Sequence, residues 1–208
     1  MELLLIRHAE SNFNSRKSKH LDSKLTARGK RQGGECAEFI SRNFEDLEEW
    51  QGITSPYFRT LATSRMISKR TLIPFKIDWR VREYGHRSSG YHESTIIRVP
   101  ERREEFPEIF ESVPPKPEWA HGYETEDDLL ERLVDFIQAL RTENGKYIVV
   151  SHGVPIYTMI HILNGSHHVP AWDRQILNTS ISHFEEDHFH YIAKFVNTGE
   201  DPRKKLLL

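Results

Sequence analysis

At 208 residues, 37% hydrophobic and 29% charged, the chain is long enough for one domain with a substantial core and too hydrophilic for a membrane protein. A formal charge of −2 gives no global electrostatic case for nucleic acid, so any anion has to be held by a local cluster. No apolar run approaches the roughly 20 residues that span a bilayer, and the opening run stops at Arg7, too soon for a signal-peptide core, so a cytoplasmic location is expected.

Leu3-Leu4-Leu5-Ile6 predicts a buried strand, and Arg7-His8 directly after it puts two basic side chains at its carboxyl edge, where open α/β sheets hold ligands. Asn12 to Lys24 reads as a polar loop. Its Arg16, Lys17, Lys19 and His20 are either a solvated surface or a basic rim that steers an anionic substrate. Thr26 is the expected N-cap of a helix running to about Asn43, within which Gly33-Gly34 permits close packing on the sheet and the lone Cys36 reads as a small buried hydrophobe. Gly52 to Pro56 predicts a short strand and turn. A helix from Tyr57 to Lys69 follows, with Pro56 near its first turn and Arg59 inside it.

Leu72 to Asp78 predicts a third strand, leading into Val81 to His86. From His86 to Tyr123 the pattern becomes irregular and rich in proline; the embedded Phe106, Phe110 and Trp119 favour an ordered cap over the sheet edge. Glu124 to Arg141 has a clear helical period, Lys146 to Ser151 is a buried strand ending in His152-Gly153, and Val154 to Leu163 predicts another helix. Two alternating runs, Gln175 to Phe184 and Phe189 to Val196, predict an edge hairpin before a frayed tail. Alternating strands and helices predict an α/β fold: a three-layer α/β/α arrangement with a mainly parallel sheet and helices on both faces. The expected organisation is one domain over 1–198, a cap insertion at about 86–123 and a tail at 199–208.

In a parallel sheet, Arg7-His8, Arg59 and His152 share one edge. Four groups able to be cationic, converging with the N–H groups of helix starts, make an anion site whose obvious guest is phosphate. His183, His188 and His190 fall on the closing hairpin, but without nearby Cys or a His-x3-His pair they predict no metal site.

The same residues resemble a known family. Arg7-His8-Ala9-Glu10-Ser11-Asn12-Phe13-Asn14 is similar to the R-H-G-E-T/S-x-x-N signature of the histidine phosphatase superfamily. Leu25-Thr26-Ala27-Arg28-Gly29 resembles its L-T-x-x-G, Ser55-Pro56-Tyr57-Phe58-Arg59-Thr60 its S-P-x-x-R-A/T, Glu124-Thr125 with Arg132 its E-S…R helix, and Ser151-His152-Gly153 its second histidine. The resemblance implies a covalent mechanism in which His8 attacks phosphorus, Arg7, Arg59 and His152 hold the non-bridging oxygens, and Glu83 is the general acid. It further implies substrate contacts from Asn14, Ser11, Gly153 and Arg16, and no metal or other cofactor. Tyr84 reads equally as a pocket wall or as aromatic packing.

The implied partner is a small phosphate ester, without nucleic acid or membrane, bound by a monomer or homodimer. Two departures matter: Ala9 replaces the usual Gly, which is tolerable where the backbone is not left-handed, and the segment around Glu83 is differently spaced, leaving Glu93 and Glu124 as alternative acids. The loop after Asn14 lacks the mutase pattern, which favours hydrolysis. A phosphoglycerate mutase-type transfer and a noncatalytic binding module of the same fold remain as alternatives.

Overall fold

The computed structural model describes residues 1–85, 103–109, 123–165, 176–187 and 190–196. In chain order the elements are β1 (Glu2–Arg7), α1 (Ala27–Asn43), β2 (Trp50–Thr54), α2 (Phe58–Thr71), β3 (Phe75–Ile77), α3 (Glu126–Glu143), β4 (Lys146–Ser151), α4 (Gly153–Leu163), β5 (Ile181–Asp187) and β6 (His190–Val196). They form one six-stranded sheet in the order β3-β2-β4-β1-β5-β6. The first four strands of that order are parallel, while β5 runs antiparallel to β1 and β6 antiparallel to β5.

Alternation along the central strands sets the layers. Leu3 and Leu5 of β1 and Tyr147 and Val149 of β4 join an apolar cluster with Leu133 and Phe136 of α3 and Ile156 and Ile160 of α4. Leu4, Ile6, Ile148 and Val150 join the opposite cluster with Ala37 and Ile40 of α1 and Leu61 and Ile67 of α2. Because both faces of these strands are apolar, both have to be covered, and an α/β/α three-layer fold results.

Local chemistry sets the boundaries. The Thr26 hydroxyl accepts from Gly29 N–H at 2.9 Å and caps α1 as expected. A Cβ on Gly29 would lie 2.0 Å from the Glu10 carbonyl oxygen, so only glycine lets α1 lean on the loop that follows β1. Gly33 faces Met66 of α2 and not the sheet, and Gly34 is exposed. Cys36 is fully buried, and burial pushes its thiol up to about 12. Pro56 stands before the N-cap Tyr57, outside the first turn of α2.

The third strand is shorter than its predicted span. Leu72 caps α2 with φ 64° and is 86% exposed, and Pro74 enters the sheet only through its carbonyl, which accepts from Gly52 N–H. Glu124 and Thr125 lie outside α3, because Thr125 and Asp128 form a capping box that starts the helix at Glu126. The hairpin begins at Ile181, later than Gln175, with Leu177 to Ser180 forming a turn whose backbone Thr179 N–H donates to the Arg7 carbonyl.

Of the predicted cap, 103–109 belongs to the described residues. There Phe106 and Ile109 are buried in the α1/α2 cluster, Phe106 meets Phe58 edge-on at 5.3 Å, and Arg65 pairs with Glu108 at 2.9 Å. Phe110, Trp119 and the tail lie outside the described residues. Among the described residues no helix is long and apolar enough to cross a membrane.

Candidate active site

Arg7 is the last residue of β1, His8 follows it, and His152 stands between β4 and α4. Arg7 pairs in register with Ser151, so the two histidines leave adjacent strands side by side, and His8 N–H donates to the Ser151 carbonyl at 3.0 Å. Their rings meet edge-on with centroids 5.2 Å apart. Arg59, in the first turn of α2, reaches the same point from β2. The sequence-predicted cluster of Arg7, His8, Arg59 and His152 is thus one structural unit at the carboxyl edge of the sheet.

Hydrogen bonds fix the tautomer of each imidazole. His8 Nδ1 lies 2.8 Å from the Ala9 carbonyl, which can only accept, so Nδ1 carries the proton. Arg59 Nε donates to His8 Nε2 at 3.0 Å, so Nε2 bears the lone pair. Arg59 Nη2 donates to His152 Nδ1 at 2.9 Å, and the other nitrogen, Nε2, accordingly donates to Ser55 Oγ at 2.7 Å. Burial, then Arg59 and Arg7, holds His8 well below its ordinary 6.5. His152 is held down in the same way by burial, Arg59 and His8. Both rings are neutral at neutral pH.

Arg59 is 1% exposed, stacks on Tyr57 at 4.6 Å and donates its remaining amino group to the Leu21 carbonyl. Arg7 donates to the Ile176 carbonyl, while its buried Nε has no hydrogen-bond partner among the described residues. Burial lowers the Arg7 guanidinium, with Glu83 opposing.

Glu83 closes the group. Its carboxylate lies 3.6 Å from Arg59 Nη2 and 3.5 Å from His152 Nδ1, and accepts from Tyr84 N–H at 3.0 Å. Burial pushes its carboxyl above the usual glutamate value, against the pull of Arg59. The different spacing of this segment therefore still delivers a carboxylate to the cluster.

The remaining predicted residues lie around this group or apart from it. Ser11 Oγ and N–H both donate to Asn14 Oδ1, at 2.9 and 3.1 Å, so this pair shapes the loop after β1. Arg16 is exposed with φ 58°. Gly153 opens α4, where a Cβ would lie 3.7 Å from Arg7 Nε. Tyr84 is 8% exposed and belongs to the apolar cluster under α3 and α4, and its backbone N–H meets Glu83. Glu93 lies outside the described residues. Glu124 forms a buried ion pair with Arg132 at 2.7 Å, and His183 pairs with Glu2 at 2.9 Å near the opposite end of β1.

Several contributors escape a sequence reading. Ser55 orients His152, a role its place in the S-P-x-x-R motif hints at. Asn178 donates to the His8 carbonyl at 2.7 Å, and Ile176 accepts from Arg7; both lie beyond every motif. Ala9 is not among the residues with positive φ, and its N–H donates to Thr63 Oγ1, so a methyl group fits where the family has glycine.

The model of the histidine phosphatase superfamily (branch 1) matches residues 3–198. The chain belongs to this superfamily. No curated protein sequence matches it significantly. Among solved structures, the phosphoserine phosphatase of Entamoeba histolytica in complex with phosphoserine superposes with a TM-score of 0.66 at 23% identity, covering 95% of this chain and 98% of that one. The same enzyme with 3-phosphoglyceric acid gives 0.65 at 23% identity, covering 93% and 95%. A mycobacterial glucosyl-3-phosphoglycerate phosphatase with inorganic phosphate gives 0.64 at 20% identity, also covering 93% and 95%. At these identities the likeness is one of fold.

Proposed function

We propose that the chain is a phosphomonoester hydrolase that works through a phosphohistidine on His8. The observation that carries this reading is the fixed tautomer of His8: Nδ1–H is tied to the Ala9 carbonyl, and the Nε2 lone pair faces Arg59, beside His152 and Glu83. A neutral, oriented imidazole among cations is what attack on a phosphate dianion needs. Arg59 Nε, which donates to that lone pair, turns to a phosphoryl oxygen when the ester binds. Arg7 Nε supplies a further donor to the transferring group, and His152, whose Nδ1 lone pair accepts from Arg59 Nη2, holds that guanidinium in place.

In the first step His8 Nε2 forms a bond to phosphorus, the ester P–O bond breaks, and the Glu83 carboxyl passes its proton to the leaving oxygen. In the second, water attacks phosphorus, the P–N bond breaks, and the Glu83 carboxylate takes the water proton. The raised position of the Glu83 carboxyl supports the first role, and its return to carboxylate supports the second. The substrate class is a small phosphate ester, and the exposed Arg16, Lys17, Lys19 and His20 steer it electrostatically.

The test is hydrolysis of p-nitrophenyl phosphate with EDTA present, wild type against His8→Ala, with alkaline trapping of labelled phosphoenzyme. A loss of about 10⁴-fold or more in kcat, together with loss of the label, is expected. Equal turnover by His8→Ala would overturn the reading.

A further inference from the structure

Behind Glu83 lies a second set of buried charges to which the reaction above gives no role. Arg132, on α3, donates through Nε and Nη2 to the two oxygens of Glu124, both at 2.7 Å. Arg82, 1% exposed, lies 3.1 Å from the same carboxylate. These groups also hold the main chain. Arg132 donates to the carbonyls of Arg80 and Arg82, the latter at 3.1 Å, and Arg82 Nη1 donates to the Glu83 carbonyl at 3.3 Å. Glu124 takes Gly85 N–H on its side chain at 3.0 Å and gives its own N–H to the Gly85 carbonyl at 3.2 Å. Ser151 Oγ, one residue before His152, donates to the Val81 carbonyl at 2.8 Å. The backbone is thus tied on both sides of Glu83, in a segment with no strand or helix of its own past Val81.

We infer that Arg132 and Glu124 are positioning residues for the proton transfer: together they fix the 80–85 segment so that the Glu83 carboxyl stands where the leaving oxygen departs. The inference rests on the proposed role of Glu83. A one-residue clamp would let the segment pivot, whereas a guanidinium fork that binds a carboxylate and two carbonyls at once does not. The titratable and charged groups facing Glu83 are the guanidiniums of Arg7 at the end of β1, Arg59 of α2 and Arg132 of α3 and the neutral imidazole of His152 before α4; Glu124 offsets Arg132 from behind.

A leaving group of low pKa departs without a proton, and an alkyl alcohol does not, so the experiment compares kcat/KM for 2,4-dinitrophenyl phosphate and for an alkyl phosphate. Wild type, Glu83→Gln, Arg132→Lys and Glu124→Gln are measured, with near-UV circular dichroism to verify the fold. For Arg132→Lys the expected result is a loss of about 10²-fold on the alkyl ester against about threefold or less on the aryl ester, the pattern of Glu83→Gln in weaker form. Glu124→Gln adds a second readout. Removal of its negative charge exposes Glu83 to Arg132, lowers the Glu83 carboxyl and moves the alkaline limb of the kcat/KM profile to lower pH, while Arg132→Lys leaves that limb in place.

If Glu83→Gln is leaving-group selective but Arg132→Lys loses activity equally on both esters, or not at all, the positioning role is overturned and the reading of Glu83 stands. If Glu83→Gln itself shows no selectivity, the reading of Glu83 falls first. If neither clamp variant holds the folded baseline at the assay temperature, the clamp serves the fold alone and the inference is overturned.

Discussion

Glu83 stands between two groups of buried arginines built on opposite terms. On the sheet-edge side, Arg7 and Arg59 meet two neutral histidines, and the carboxylate within ion-pair reach is Glu83 itself, 3.6 Å from Arg59. On the other side, Arg82 and Arg132 share the Glu124 carboxylate at 3.1 and 2.7 Å and direct their remaining donors to main-chain carbonyls. Buried charge is costly unless it is compensated. The Glu124 side directs its donors to a carboxylate and to main-chain carbonyls and acts as scaffold; at the sheet edge Arg59 donates to the lone pairs of two neutral imidazoles and Arg7 Nε has no hydrogen-bond partner among the described residues, which suits that side to a phosphate. Each side sets two arginines against one carboxylate, so the difference in purpose lies in where the guanidinium donors point.

Removal of a charge from each cluster breaks the comparison most sharply. Glu124→Ala leaves Arg82 and Arg132 buried without their carboxylate, and a loss of roughly 3–5 kcal/mol in unfolding free energy is expected from urea denaturation. Arg59→Met relieves a buried cation beside Arg7 but takes a donor from the Leu21 carbonyl and two imidazole nitrogens, so a smaller loss than in Glu124→Ala is expected, while kcat falls by about 10²–10³-fold. Equal losses of stability in both variants would mean that the two clusters are the same kind of structure.

The two regions also differ in how far the sequence discloses them. The strand-end cluster is legible because parallel strands force their carboxyl ends onto one edge, so Arg7-His8, Arg59 and His152 converge whatever the loops do. Thr26 and Gly29 are legible through capping chemistry and close approach to Glu10. The clamp is not legible, although Glu124 and Arg132 stand in a recognised motif: the motif puts the two eight residues apart, but does not show that Arg132 grips carbonyls some 50 residues earlier in the chain. Asn178 and Ile176 are hidden for the same reason, since a side chain or carbonyl that serves a distant turn leaves no local periodicity. For Tyr84 the sequence leaves pocket wall and aromatic packing equally open, and its ring joins the core under α3 and α4.

Inorganic phosphate, a product of the proposed reaction, sharpens the contrast by offering the sheet-edge donors an anion. At about 100 times its Kd it adds about 2.7 kcal/mol to unfolding free energy, read as a rise in melting temperature. Arg59→Met abolishes the rise. Arg132→Lys, with the sheet-edge cations intact, keeps it although its own melting point is lower.

Acid titration separates the clusters by the smallest margin. His8 and His152 lie well below 6.5 in the folded protein, so between that pH and their folded values the unfolded chain binds protons that the folded chain does not. Stability they contribute is present above about 6.5 and lost as pH falls, at up to about 1.4 kcal/mol per pH unit for each ring. Glu83 has the opposite sign: its raised folded value adds stability below the ordinary glutamate range, and that contribution disappears as pH rises through the folded value. The two histidines outnumber it, and melting temperature is expected to drop from pH 7 toward pH 5. His152→Asn removes one ring and flattens that slope, whereas Arg132→Lys lowers the whole curve and leaves its slope intact, because a lysine in the clamp still carries its charge throughout this range. An unchanged slope in His152→Asn would mean that the ring is already protonated in the folded protein, and the tautomer assigned from its bonds to Arg59 and Ser55 would have to be replaced by an imidazolium.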